Sequence, residues 1–181
     1  MMSLTERLLE IDASLERHRF QHAFGGALAL AWCTEMARGT IDVDVNIFVD
    51  VSQAHEVVGA LPTGVVANAG EIDDLIARGQ VRLRWDGVPI DLFLNTHSFH
   101  AGVASRVRLE RFAGRDIPFL ACSDLAVFKV MYDRPKDWVD LTEMVEFGSI
   151  DIEGVAAQLI GILGSNDPRI GRLTRLAAPS R

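Results

Sequence analysis

The sequence predicts an α+β domain: a mixed β-sheet flanked by helices, with a short C-terminal helical tail. Three observations carry that expectation. Residues 41–49 (IDVDVNIFV) alternate apolar and polar as a half-buried strand does. VRLRW and VPIDLFL flank the pair Asp86-Gly87, the composition of a tight primed hairpin turn. After Cys122 the apolar spacing becomes helical and stays so to the end. The expected division is a sheet core at 1–121 and a helical extension at 122–181. A chain of 181 residues with 49% hydrophobic content suffices for one compact domain with such an extension.

In order, Ser3 and Glu6 have capping-box spacing, and Leu4, Leu8, Ile11 and Leu15 recur at helical intervals, predicting a helix over 4–18. An apolar run at 20–24, the pair Gly25-Gly26 and an Ala/Leu-rich stretch to Met36 read as strand, turn and helix, closed by Arg38 and Gly39. On the strand at 41–49, Ile41, Val43, Val45 and Ile47 take one face and Asp42, Asp44 and Asn46 the other. Helices are expected at 51–61 and 71–78, then the Asp86-Gly87 hairpin. A second hairpin pairs 106–112 with 116–120 around Ala113-Gly114. Ser123 is placed to cap a helix carrying Leu125, Phe128 and Tyr132. Pro135 suits the first position of the next, with Trp138, Leu141 and Val145 facing inward. Helices over 151–163 and 168–177 complete the tail.

Composition excludes several functions. The net charge of −7 argues against non-specific nucleic-acid binding, which depends on phosphate neutralisation. Cys33 and Cys122 lie far apart with no CxxC spacing, so neither thiolate zinc nor a disulfide framework is expected, and a reducing compartment fits. The first twenty residues lack a signal peptide's apolar run and no segment approaches bilayer length, so a cytoplasmic protein without a membrane partner is expected.

Asp42 and Asp44 carry the chemistry. On a strand, positions i and i+2 point the same way, placing the two carboxylates roughly 7 Å apart. At an effective dielectric near 20 such charges repel by about 2 kcal/mol, and aspartate is a poor strand former. A hard divalent cation would remove the repulsion, because Mg²⁺ takes one or two carboxylates together with substrate phosphates. The pair also fits the wet face of an ordinary strand. An EF-hand does not fit: counted from Asp42, the sixth position is Ile47 and the twelfth Gln53. Context favours the cation. Gly25-Gly26 follows an apolar strand and opens a helix, and such a turn brings backbone N–H groups close to a phosphate at a helix N-terminus. Asp91, in PIDLF, stands opposite Ile90, Leu92 and Leu94 and is a candidate third carboxylate or a surface side chain.

GGALALAWCTEMARGTIDVDV, PIDLF and FKVMYDRPKDWVDL, in that order, resemble the nucleotidyltransferase superfamily, in particular its small bacterial branch of AbiEii-like toxins and antibiotic nucleotidyltransferases. The resemblance covers roughly residues 20–145. It implies that Gly25 and Gly26 form the triphosphate-binding turn, with Arg38 and Thr40 as basic and hydroxyl positions before the acidic pair. It further implies that Asp42, Asp44 and Asp91 are metal-binding and catalytic, and that Lys129 and Lys136 reach nucleotide phosphates or an acceptor. Arg134, Asp137 and Asp140 match other polar positions of the helical part. The turn reads Gly-Gly where many members have Gly-Ser, which removes a serine contact to phosphate. Helix-surface pairing of Lys136 with Asp140, and dipole complementation by Asp137, fit those residues equally.

The implied reaction is Mg²⁺- or Mn²⁺-dependent transfer of a nucleoside monophosphate from a triphosphate such as ATP to a hydroxyl acceptor, with release of pyrophosphate. The acceptor is a small molecule, a protein or tRNA. In the tRNA case the chain would be the toxin of a toxin-antitoxin pair, with an antitoxin as partner. A non-catalytic nucleotide- or protein-binding module of the same fold is the rival. His97 and His100 have HxxH spacing but lack the partners of a zinc site. Ser98, Ser105 and Ser123 have no nucleophile-elbow motif. Two arginine groups, 106/108/111/115 and 169/172/175, read as solvated faces before they read as RNA contacts. Trp32, Trp85 and Trp138 belong to packing, with Trp85 the more exposed candidate beside its turn.

Overall fold

The computed structural model describes residues 2–37 and 39–176, and these form two compact units. Of the described residues, the first comprises 2–26 and 39–120, the second 27–37 and 121–176.

The first unit is built on a seven-stranded mixed sheet in the order β3-β4-β5-β2-β1-β7-β6. Its strands are β1 (His22–Phe24), β2 (Val43–Asp50), β3 (Val65–Val66), β4 (Gln80–Trp85), β5 (Val88–Asn95), β6 (Arg108–Phe112) and β7 (Arg115–Phe119). β2 runs parallel to β5 and antiparallel to β1, and β1 runs parallel to β7. Both expected hairpins form. Asp86 (φ 48°) and Gly87 (φ 83°) turn β4 into β5, and Ala113 (φ 48°) and Gly114 (φ 85°) turn β6 into β7. Two consecutive positive φ values match the twist of the flanking strands, and this favours Asp-Gly at such turns.

Helix α1 (Leu4–Arg17) starts at the expected capping box, Ser3 and Glu6 each binding the other's backbone. Its Leu8, Ile11 and Leu15 are fully buried, as are Val43, Val45, Ile47, Leu83, Ile90 and Leu92 of the sheet. Arg7 ties α1 to the β4–β5 turn: its guanidinium lies 5.7 Å from the centre of the Trp85 ring and pairs with Asp86 at 3.2 Å. Trp85 is therefore buried, at 6% exposure, as expected of a packing residue and despite its place beside a turn. Within 51–61, Val51–Gln53 forms a 3-10 turn capped by Asp50, and only α3 (Ala54–Gly59) is α-helical. α4 (Ala69–Arg78) has a second capping box, Asn68 with Glu71. The two-residue β3 and α5 (Phe99–Ser105) were not anticipated. Ile41 leaves the apolar face of the predicted strand: it precedes β2 and is 78% exposed.

The second unit contains α2 (Gly26–Thr34), α6 (Cys122–Tyr132), α7 (Pro135–Phe147), α8 (Ile152–Leu163) and α9 (Pro168–Leu176). α2 begins at the last residue of the first unit and ends two residues short of Met36. The expected end of the last helix, Ala177, lies outside the described residues. α6 buries residues all round its circumference, Leu125, Ala126, Val127 and Val130 among them, and α7, α8 and α9 add Leu141, Met144, Val155, Leu159 and Leu173. Pro135 opens α7 as expected, while Ala121, not Ser123, is the N-cap of α6.

The cysteine expectation is overturned. Cys33 of α2 and Cys122 of α6 form a disulfide, with Cα atoms 5.6 Å apart across a separation of 89 residues. Sequence spacing does not reveal that pairing, because only the packing of α2 with the C-terminal helices brings the residues to bonding distance. The link removes conformational freedom from the unfolded chain. Cys33→Ser with Cys122→Ser, or reduction, is expected to lower unfolding free energy by about 2–4 kcal/mol. Denaturant titration measures the loss, and thiol titration of the denatured, unreduced protein should find no free thiol.

Candidate active site

The hairpin and the parallel pairing of β2 with β5 align four positions across the first unit. Arg82 of β4 is the register partner of Asp91 of β5, and Asp91 is the partner of Asp44 of β2. Beyond Asp44, just past the end of β1, the Gly25 N–H donates to the Asp44 carbonyl at 2.9 Å. Register partners point to the same face of a sheet. Asp91 therefore stands beside Asp44, on the opposite side from the apolar row Val43, Val45, Ile90 and Leu92. Asp42 sits one residue before β2 at the end of this row.

The glycine turn is shaped by Asp44. Gly26 has φ +58°, in the left-handed region, and a Cβ placed on it would fall 1.8 Å from Asp44 Oδ2. At Gly25 a Cβ would lie 3.1 Å from Asn46 Nδ2 and 3.2 Å from Leu120 Cδ1. A side chain at Gly26 and the present Asp44 carboxylate exclude each other. Asn46 was expected on the wet face with Asp42 and Asp44 but is buried, at 6% exposure, against this turn. Thr40 Oγ1 donates to Asp42 Oδ1 at 2.5 Å, so in this structure the hydroxyl orients the first aspartate. Arg38 lies outside the described residues.

Arg82 is the residue that sequence reasoning missed. Its Nε and Nη2 donate to the two Asp91 carboxylate oxygens at 2.7 and 2.6 Å, and Nη2 lies 3.7 Å from Asp42 Oδ2. Hydrogen bonding to Asp91, and then the charges of Asp91, Asp42 and Asp44, hold its pKa above the already high arginine value. The signal was present: counting outward from Asp86-Gly87 pairs position 82 with 91.

These residues fit a hard divalent cation in part. Asp42 and Asp44 offer carboxylate oxygens, and the usual remainder of an Mg²⁺ shell is water and substrate phosphate. Both Asp91 oxygens are taken by Arg82, and among the described residues no three His, Cys, Asp or Glu side chains are gathered to hold an ion by themselves.

In the helical unit, Lys129 is buried, with Nζ 2.6 Å from Asp140 and 3.8 Å from Asp137. Asp137, fully buried, also accepts two bonds from the Arg134 guanidinium at 2.7 and 3.0 Å. Asp140 thus pairs with Lys129 across two helices. Lys136 itself is exposed. Most of the arginines in both groups have acidic neighbours within their own unit: Arg108 with Glu110, Arg111 with Asp116, Arg115 with Asp12 and Glu16, Arg169 with Asp167 and Arg172 with Asp133. Such pairing leaves less free positive charge for a polyanion. In the turn leading into α5 the His100 ring bonds the His97 backbone, and the His97 ring accepts from the Phe99 N–H. No described helix is long and apolar enough to cross a membrane.

No family model matches the sequence, and no curated protein sequence matches it. Solved structures do match in fold. The antibiotic-resistance factor ANT(2'')-Ia in solution is 12% identical with a TM-score of 0.55, over 95% of this chain and 94% of that one. ANT(2'')-Ia in complex with adenylyl-2''-tobramycin is 12% identical with a TM-score of 0.57, over 94% of this chain and 96% of that one. An antigenic nucleotidyltransferase-like protein from Paracoccidioides brasiliensis is 13% identical with a TM-score of 0.50, over 97% and 94%. Together with the expected element order and the acidic row beside a diglycine turn, this likeness over nearly the whole of both chains shows that the protein has the nucleotidyltransferase fold.

Proposed function

We propose that this chain transfers a nucleoside monophosphate from a nucleoside triphosphate to a hydroxyl of a small-molecule acceptor, releasing pyrophosphate. The observation that carries the reading is the row Gly25–Asp44–Asp91 with Asp42 at its end, since a purely structural strand does not need three acids on one face. Asp42 and Asp44 would hold Mg²⁺ or Mn²⁺, which when bound offsets triphosphate charge and acidifies an acceptor hydroxyl. Gly25 and Gly26 present backbone to the triphosphate without a side chain in the way. The acceptor oxygen bonds to the α-phosphorus as the bond to pyrophosphate breaks. Asp91, once free of Arg82, takes the hydroxyl proton. Alignment and charge neutralisation are the protein's main contributions.

Two facts favour a small acceptor over tRNA: the net charge of −7, and the acidic partners of the arginine groups. The solved complex of ANT(2'')-Ia with adenylyl-2''-tobramycin supports the same class. Triphosphate use fits a cytoplasmic location, although the Cys33–Cys122 bond fits an oxidising compartment better. The test is incubation with each α-labelled nucleoside triphosphate, Mg²⁺ and a cell extract. Label is expected in a low-mass product, with one pyrophosphate released per label transferred. Label in tRNA would instead favour a toxin with an antitoxin partner. Thermal stabilisation by triphosphate without transfer to any acceptor would leave only a binding module.

A further inference from the structure

Arg82 grips Asp91 through two parallel hydrogen bonds and reaches toward Asp42, so a permanent cation already lies among the carboxylates assigned above to metal and proton transfer. Guanidinium does not deprotonate in proteins, so raising the pH does not release it. At neutral pH another cation has to compete for the same oxygens. The two-point geometry is the strong form of such a pair, and the register of β4 with β5 builds it into the sheet. Arg82 has solvent to move into when displaced: its side chain is 55% exposed, against 15% for Asp91.

We infer that Arg82 is a resident counter-cation of the third carboxylate: it holds Asp91 in the metal-free protein and must release it before a divalent ion can use that side chain. The inference rests on the nucleotidyltransferase reading of the same row. Arg82 is thus a positioning residue that sets how many carboxylates an entering ion meets. In its presence the ion is held by Asp42 and Asp44 alone, and weakly; in its absence all three acids are available.

The experiment is Mn²⁺ binding without nucleotide, followed by electron paramagnetic resonance of the free ion, for wild type, Arg82→Gln, Arg82→Lys, Arg82→Gln/Asp91→Asn and Asp42→Asn. Removing one neighbouring positive charge is expected to tighten Mn²⁺ binding by about tenfold or more in Arg82→Gln. Adding Asp91→Asn should cancel that gain. Arg82→Lys keeps the charge but loses the two-point grip and should fall between; it also serves if the glutamine variant folds poorly, with circular dichroism as the check. Equal affinity in wild type and both Arg82 variants, or a gain that survives Asp91→Asn, overturns the assignment of Arg82. The functional reading survives that result if Asp42→Asn still weakens Mn²⁺ binding in the presence of a triphosphate. No Mn²⁺ binding by any variant, with or without triphosphate, overturns both.

Discussion

Asp44→Asn is expected to reduce nucleotidyl transfer by about a hundred- to a thousandfold, the scale seen when one preorganised electrostatic contact to a reacting group is lost. Asparagine keeps the shape of the side chain and removes its charge. The backbone pairings of Asp44 to Gly25 and in register with Asp91 do not depend on that charge. The fold should therefore persist, and relief of repulsion from Asp42 acts in the stabilising direction. Initial rates with α-labelled triphosphate, alongside denaturant unfolding, separate the two effects. Turnover near the wild-type rate would remove the aspartate row from the mechanism.

Gly26→Ala should be the most damaging single change at the turn. The left-handed φ of +58° costs a residue with a Cβ about 1–2 kcal/mol. The added methyl would also stand 1.8 Å from Asp44 Oδ2, so the carboxylate has to leave its place. Transfer and triphosphate-induced thermal stabilisation should both disappear, together with about 2 kcal/mol of stability. Gly25→Ala is the informative contrast. There the nearest atoms lie 3.1 and 3.2 Å away, both on side chains, and φ is not positive. A shift of a few tenths of an ångström accommodates the methyl, so much of the triphosphate response should survive. If both variants behave alike, Asp44 does not depend on the bare backbone at Gly26.

Local elements were legible wherever a short-range rule decides them. The capping box of Ser3 and Glu6, the Asp86-Gly87 and Ala113-Gly114 turns and Pro135 at the start of α7 each depend on neighbours within a few residues. The diglycine turn and the alternation through Val43, Val45 and Ile47 were readable in the same way, and the family resemblance ordered them into one fold. The two-residue β3 was too short to produce a period, and it exists because β4 offers it an edge.

By itself the sequence determined the α+β class, most of the helices and hairpins, and the identity of the acidic residues, because periodicity and turn chemistry act over a few positions. Tertiary structure decided what those residues touch. It placed Asp91 beside Asp44, seated Arg82 on Asp91, buried Lys129 between Asp137 and Asp140, and joined Cys33 to Cys122. Each of these depends on which distant segments become neighbours. Burial and pairing of charge follow from that proximity, which no spacing along the chain encodes.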